Sequence, residues 1–423
     1  MPFNANDILA KARSQIEEKE AAIKAEQERK AEEERLERER QEQKRLAREA
    51  EERRKAEEER LARERQEKER LEKEAEERRK AEAVAEAERI AREKAELQKK
   101  VLEHPGLCTL QELLDAEKES HDPRIQFNIS EYYWDKADYK NSFEWAGKSA
   151  EQNYPDGIAR FGWHFFDGKG IEKDEAKGME LIQDAINKGS ACGQNLFGHM
   201  YDSGQGVAQD KAKAVEWYAK AAEQGYARAQ CNLGYMYSNG QGVTLDNAKA
   251  VEWYAKAAEQ GYARAQFNLG NMYYYGHGVA EDKSKVVEWY AKAAEQGYAR
   301  AQFELGRMYD PGWYGHGEAP DSDKAVEWYT KAAEQGHAEA QLELGRMYQN
   351  GRCVKRDFAK AVEWYKKAAD NGVEYAMKLV GLRNPGLIKC KEVKEFLNSA
   401  ADQGSDLAKQ ILKDHFTIFG WKK

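Results

Sequence analysis

The sequence predicts an all-α protein, a right-handed α-solenoid of about seven to eight two-helix repeats preceded by a long charged single helix or coiled coil. The first observation is a stretch, residues 11–100, that lacks Gly and Pro and carries 29 basic and 29 acidic residues. Such a composition strongly favours helix. The second is a period of 36, 36, 39 and 36 residues between five tryptophans, which is typical of stacked helical hairpins: Trp217, Trp253, Trp289, Trp328 and Trp364.

Changes in composition along the chain predict its domain boundaries. The charged helix ends at His104, Pro105 and Gly106, because Pro cannot donate a helical hydrogen bond and Gly breaks the run. The predicted organisation is an N-terminal tail (1–10), the charged helix (11–104), a linker helix (105–123), the repeats (124–404), and a C-terminal capping helix and tail (405–423).

The charged helix has many ion pairs and few side chains to bury. Oppositely charged residues recur at i,i+4 spacing with Glu on the favourable N-terminal side, each pair contributing about 0.3 kcal/mol to the helix. Examples are Glu20–Lys24, Glu34–Arg38, Glu51–Lys55, Glu64–Lys68, Glu76–Lys80 and Glu96–Lys100. The apolar stripe is thinner than the two positions per heptad of a coiled coil. A solitary spacer helix, a weak coiled coil that makes a homodimer, and disorder all stay open.

The composition excludes several function classes. The net charge of −8 lies entirely outside residues 11–100, so no basic field exists for nucleic acid, and we expect no nucleic-acid partner. The N-terminus lacks the basic and apolar regions of a secretory signal, and no run of about 18 apolar residues predicts a membrane span. Five scattered cysteines suit reduced thiols in a cytoplasmic protein: Cys108, Cys192, Cys231, Cys353 and Cys390.

Each repeat marks both ends of its second helix. An aspartate stands seven residues before each Trp or its equivalent, and Asp caps a helix N-terminus: Asp138, Asp174, Asp210, Asp246, Asp282, Asp321 and Asp357. Eight residues after the Trp comes a residue that tolerates the left-handed conformation at a helix C-terminus: Asn153, Gly189, Gly225, Gly261, Gly297, Gly336 or Gly372. Gly-x-Gly pairs such as Gly204 and Gly206 turn the chain between helices.

The repeated segment has the form Ala-x-Ala-Gln-x-x-Leu-Gly-x-Met-Tyr-x-x-Gly-x-Gly-Val, then Asp, then Ala-Val-Glu-Trp-Tyr-x-Lys-Ala-Ala-Glu-Gln-Gly. Ala227–Val243 and Asp246–Gly261 match it nearly residue for residue. This motif resembles the Sel-one-like repeat (SLR) family, relatives of the tetratricopeptide repeats, over roughly 124–404. The resemblance implies first helices that line a concave face, and a role in assembling complexes in signalling or envelope processes.

The first helix of each repeat has two sides, one formed by repeated positions and one by positions that change between copies. The repeated positions around Ala229, Leu233 and Met236 fill about half of its circumference and predict the packed side. Positions that change between copies fill the remaining arc and predict partner contacts, with an ordinary solvated surface as the alternative. One series of candidates is Trp163, His199, Tyr235, Asn271, Arg307 and Arg346. A second series reads Leu196, Asn232, Asn268, Glu304 and Glu343, of which all but Leu196 are candidates. A third series reads Cys192, Arg228, Arg264, Arg300 and Glu339.

The sequence offers little that predicts chemistry. The Gly-x-Gly turns lack the preceding strand and the third Gly of a nucleotide loop. His277 and His316 lie in related turns, but two imidazoles make a poor metal site. No Ser/His/Asp or Cys/His set is recognisable, so we expect no catalytic, cofactor or metal site. Trp313 and Tyr314, in a turn three residues longer than its siblings, are further candidates for partner contact.

The prediction is therefore a non-enzymatic scaffold or adaptor that binds protein partners of unknown identity on the concave face. The N-terminal helix would act as a spacer or oligomerisation element. One alternative is a host-directed bacterial effector or virulence-associated surface protein, as some members of the resembled family are. Another is a weak β-lactam-type hydrolase like the cysteine-rich relatives, although this chain lacks their paired cysteines in each repeat.

Overall fold

The computed structural model describes residues 35–44, 59–312 and 320–372, with a few residues further on (395, 398–399, 401–402, 408–410 and 412–413). Several predictions therefore lie outside the described residues. They concern Trp313, Tyr314, His316, Cys390, the tail 1–10, the last repeat with the capping helix, and the ion pairs Glu20–Lys24, Glu34–Arg38, Glu51–Lys55 and Glu64–Lys68.

The described residues form helices joined by short turns, and no strand occurs among them. Residues 35–44 are helical, and a short 3₁₀ helix covers Pro105–Leu107. The α-helices are α1 Glu59–Glu103, α2 Leu110–Ser120, α3 Pro123–Asp135, α4 Tyr139–Glu151, α5 Pro155–Asp167, α6 Glu175–Asn187, α7 Ala191–Ser203, α8 Lys211–Glu223, α9 Ala227–Asn239, α10 Asn247–Glu259, α11 Ala263–Tyr275, α12 Lys283–Glu295, α13 Ala299–Tyr309, α14 Ser322–Glu334, α15 Ala338–Asn350 and α16 Phe358–Asp370.

The helices divide between two compact units, residues 1–188 and 189–423. The first unit contains α1 and α2, followed by the hairpins α3/α4 and α5/α6. The second contains the hairpins α7/α8, α9/α10, α11/α12, α13/α14 and α15/α16. These seven pairs confirm the all-α fold class, an α-solenoid of two-helix repeats.

Both helix-end predictions are confirmed. Every predicted aspartate is the N-cap of its second helix and accepts a hydrogen bond from the backbone N–H three residues on, as Asp246 does from Lys249 at 3.0 Å. The residues after the second helices all have positive φ, from 62° at Asn153 to 93° at Gly372. Local capping chemistry therefore sets these boundaries.

On each second helix of the second unit, a tyrosine packs directly on a glycine of the first helix. In the repeat of α9 and α10, a Cβ added at Gly234 would lie 2.8 Å from the Tyr254 ring, which is itself buried. The same pair recurs at Gly198–Tyr218, Gly270–Tyr290, Gly306–Tyr329 and Gly345–Tyr365. Glycine is therefore required because any larger residue would separate the two helices.

The repeated tryptophans are half-buried. Trp253, on α10, packs against a cluster that combines Tyr218 of the preceding repeat with Leu233 of its own. Its outer face is covered by Lys256, whose Nζ lies 4.0 Å from the ring centroid. The same pairing holds at 4.1–4.2 Å for Lys220–Trp217, Lys292–Trp289, Lys331–Trp328 and Lys367–Trp364. Each indole thus joins neighbouring repeats beneath a cation–π contact.

The charged helix α1 ends at Glu103, directly before His104 and Pro105. Its pair Glu76–Lys80 is present at 2.6 Å, but Lys100 pairs with Glu112 of α2 at 2.6 Å, so the predicted pair with Glu96 is wrong. Val101 is fully buried with α2 and α3 side chains in one apolar cluster. The last turns of α1 thus belong to the core of the first unit. Across the described parts of the chain, no helix has both the length and the apolar character needed to cross a bilayer.

Candidate partner-binding face

Successive first helices of the second unit contact each other, and Asn232 and Asn268, two positions predicted to be variable, take part. Asn232 on α9 donates to the Asn195 side chain on α7 at 2.9 Å, and Asn268 on α11 approaches the Cys231 Sγ on α9 at 3.7 Å. We call the surface formed by the variable positions of α7, α9, α11, α13 and α15 the first-helix face. The period of the sequence places equivalent residues in rows along it.

The first-helix face contains a pocket of about 280 Å³ at its α7–α11 end. Three predicted partner-binding residues, His199, Asn232 and Tyr235, line it. The other lining residues are Asp202, Tyr218, Met236 and Arg264. The structure therefore brings together side chains from three successive repeats around one concave space.

The acidic residue that lines this pocket has an ion-pair partner, whereas the basic one has no carboxylate near it in the described part of the chain. Asp202 forms an ion pair with Lys211, and this pair neutralises the negative charge of the Asp202 carboxylate. Among the residues that the structure describes, no carboxylate oxygen lies within 4.0 Å of the Arg264 guanidinium. Tyr235 is 38% exposed, while burial raises the pKa of Tyr218 and keeps its hydroxyl neutral. The pocket thus combines a cation, neutral donors and an accessible aromatic ring.

Further along, the candidate residues form pairs within the face. Asn271 accepts a hydrogen bond from the Tyr290 hydroxyl at 2.5 Å. Arg307 donates to both carboxylate oxygens of Glu304, at 2.8 and 2.9 Å. Burial raises the pKa of Glu304, and the Arg307 charge opposes that rise. All four side chains are half-buried or deeper, so this part of the face is polar and its side chains pair with each other.

The α15 end is an ion network instead of an open surface. Glu343 is only 6% exposed and pairs with Arg346 and with Arg352, the latter at 3.1 Å. Arg352 also reaches the buried carboxylate of Asp310 at 3.1 Å, which accepts from the Tyr329 hydroxyl at 3.3 Å. Glu343 therefore serves the packing of this end.

Trp163, the candidate from the first unit, is 4% exposed and stacks on Phe166 at 5.2 Å. Its side chain is therefore not available on a surface. A helix position that varies between copies faces either solvent or a neighbour, and periodicity alone does not distinguish the two.

A buried polar cluster in the first unit resembles a nucleophile–base pair. Ser142 Oγ lies 3.0 Å from His164 Nε2 and 3.1 Å from Ser130 Oγ. His164 Nδ1 donates to the Lys169 carbonyl at 2.6 Å, and burial lowers the pKa of His164 to about 4. All three side chains are fully buried, so no substrate can reach the serine. The cluster holds α3, α4 and α5 together.

Sequence reasoning missed one set of residues, a row of glutamines in the second unit. Gln266 donates to the Ala258 carbonyl at 3.1 Å and accepts from Gln296 at 2.8 Å, which links α10, α11 and the end of α12. Gln230, Gln302 and Gln341 repeat the pattern. The recurrence of this Gln in the repeated motif indicates that the position matters for the structure. The sequence alone does not identify its hydrogen-bond partners.

Comparison with known proteins identifies seven repeats, as the helix pairs do. Seven segments match the family model described as Sel1 repeat, at residues 130–154, 155–190, 193–226, 227–262, 263–298, 299–337 and 338–373. No curated protein matched the chain.

Solved structures of similar proteins include a Sel1 repeat protein from Oxalobacter formigenes, 34% identical, with 57% of this chain and 98% of that chain covered and a TM-score of 0.49. The protective antigen c5321 of uropathogenic Escherichia coli, which displays an SLR fold, is 30% identical over 73% of this chain and 75% of its own, with a TM-score of 0.36. The immunity protein Pa5087 of Pseudomonas aeruginosa is 24% identical over 52% and 81%, with a TM-score of 0.34.

Proposed function

Since the chain belongs to the Sel1 repeat family, whose members are generally non-catalytic protein-interaction scaffolds, we propose that it is a cytoplasmic adaptor. It binds protein partners on the first-helix face, which the resemblance predicts to be concave. The charged N-terminal helix acts as a spacer or oligomerisation element. The four described cysteines, Cys108, Cys192, Cys231 and Cys353, form no disulfide, which suits a reducing compartment.

The observation that carries the proposal is the contrast between the two sides of the first helices. Their packed side repeats almost unchanged, with Ala229, Leu233 and Met236 all buried. Their other side changes from copy to copy and surrounds a polar pocket of about 280 Å³ with an accessible Tyr235. A packed array needs no such pocket for stability, and aromatic and arginine side chains are the usual anchors of protein interfaces.

Affinity capture with mass spectrometry tests this proposal. The bait is the intact chain, and the variant Tyr235→Ala/Arg307→Ala changes the first-helix face. The matched control Glu252→Ala/Glu288→Ala changes two exposed residues of second helices. We expect the first variant to lose partners that the control keeps. Identical partner sets from all three baits would contradict binding on this face.

A further inference from the structure

The pocket on the first-helix face has the size and chemistry of a site for one charged side chain. Its volume of about 280 Å³ exceeds the roughly 150 Å³ that suffices for benzene in an engineered cavity. Its lining residues come from α7, α8, α9 and α11, which are separate helices held in place by the repeat packing. Such a space is preformed and does not need to open.

The donors around the pocket favour an anion. Arg264 offers a planar guanidinium that matches a carboxylate through two parallel hydrogen bonds. Its position is the second residue of α11, where the helix dipole adds positive potential. The one acidic lining residue, Asp202, is already paired with Lys211. An incoming carboxylate therefore meets a cation without displacing an existing partner.

Two further arginines place guanidinium groups that can bind carboxylates along the first-helix face. Arg228 and Arg300 occupy the same position of α9 and α13. Arg228 Nη1 donates to the Tyr262 hydroxyl at 3.2 Å, and among the described residues no carboxylate oxygen lies within 4.0 Å of Arg300. Packed helices lie about 8–10 Å apart, and an extended segment in the polyproline II conformation rises about 3.1 Å per residue with three residues per turn, so that every third side chain lies on the same side. Successive arginines thus match acidic side chains about three residues apart.

We propose that the pocket at Arg264 binds an aspartate or glutamate side chain of an extended acidic segment of a protein partner. Acidic residues about three positions on either side meet Arg228 and Arg300. This inference rests on the proposed scaffold function and specifies its ligand. The net charge of −8 of the whole chain acts weakly at this site, because salt screens charges beyond about 8–10 Å.

Fluorescence anisotropy with the full chain tests the proposal. The probe is a fluorescein-labelled peptide of four Gly-Ser-Glu units, and the comparison peptides carry Gln for Glu or place the four Glu residues together. We expect the spaced Glu peptide to bind about tenfold more tightly than either, and less tightly as salt rises. Arg264→Ala lowers that affinity about tenfold, and Arg264→Lys lowers it less. Arg356→Ala, at an exposed arginine outside the first helices, leaves it unchanged.

Three results would overturn the proposal: no binding of the Glu peptide at about 1 mM protein, equal binding of the Glu and Gln peptides, or equal effects of Arg264→Ala and Arg356→Ala. Stronger Arg264-dependent binding of a single-stranded oligonucleotide would also overturn it in favour of nucleic acid. The scaffold function is tested separately, because captured partners could still depend on Tyr235 and Arg307 when the acidic peptide fails.

Discussion

The glutamine row shows how one side chain can join three helices. Gln266 is almost fully buried, and its amide donates to the helix before it and accepts from the end of the helix after it. A buried amide without partners is costly, so the row ties the register of each repeat to the next. The side chains that repeat most strictly are thus polar as well as apolar.

Replacing this amide should weaken the array. Gln266→Ala removes the bond to the Ala258 carbonyl and the bond that the Gln296 amide donates to Gln266, so we expect the free energy of unfolding to fall by about 1–3 kcal/mol. Urea unfolding followed by circular dichroism measures it. The control Gln205→Ala, at an exposed turn residue, should have no effect. Similar losses from both variants would mean that the row does not stabilise the array.

The buried His164 predicts a dependence of stability on pH. Its pKa of about 4 in the folded chain lies below its ordinary value of 6.5, so the unfolded chain takes up the proton first. The stabilisation is complete above pH 6.5 and is lost as the pH falls towards 4, by about 3 kcal/mol in all.

Unfolding free energies measured from pH 7.5 to 4.5 test this dependence. His164→Gln should flatten the decline relative to the native chain, although it removes the bond to Lys169 at every pH. His277→Gln, at an exposed histidine, should keep the native slope. An unchanged slope in His164→Gln would assign the dependence to other groups, since the carboxylates titrate at the lower end of this range.

Each helix pair of the second unit has a close Gly–Tyr contact. Gly234→Ala places a Cβ 2.8 Å from the Tyr254 ring and 3.2 Å from the Ala250 carbonyl oxygen. The two helices must therefore separate, and we expect a loss of about 1–3 kcal/mol in unfolding free energy. The double variant Gly234→Ala/Tyr254→Leu should cost less than the sum of the single changes. Additive costs would show that the ring is not what excludes the methyl group.

Within the second unit, each core includes side chains of the next repeat. The cluster around Tyr254 and Leu269 receives Trp289, and the one around Tyr290 and Leu305 receives Trp328. Stability in such an array depends on coupling between neighbours. A change at one indole should therefore affect the repeat before it as well as its own.

Within its described residues, the charged helix contacts the rest of the first unit through its last turns. Lys94 pairs with Glu119 at 2.8 Å, and Asn128 donates to the Val101 carbonyl at 3.2 Å. Deleting residues 1–90 should therefore leave the thermal midpoint unchanged. Deleting residues 1–103 should lower it, because burial of Val101 alone contributes about 2 kcal/mol.

Light scattering on the same deletions tests the role of the helix. If the full chain is a dimer and the chain lacking residues 1–90 a monomer, the helix is an oligomerisation element. If both are monomers, the helix is not an oligomerisation element, and the hypothesis that it is a spacer remains. An equal thermal midpoint for the two deletions would contradict the packing of Val101 in the core.

The sequence by itself determined the helical repeats, their boundaries and the packed side of each helix, because caps, left-handed glycines and the 3.6-residue period act within a few residues. Only the tertiary structure decided which variable positions are accessible. Tyr235 lies on an open pocket, whereas Glu343 is buried by an ion network that reaches Arg352, nine residues on, and Trp163 stacks on Phe166. Likewise, Lys100 pairs with Glu112 on another helix instead of Glu96 on its own. Accessibility and ion pairing depend on which helices become neighbours in space, and the spacing of residues along one helix does not specify that.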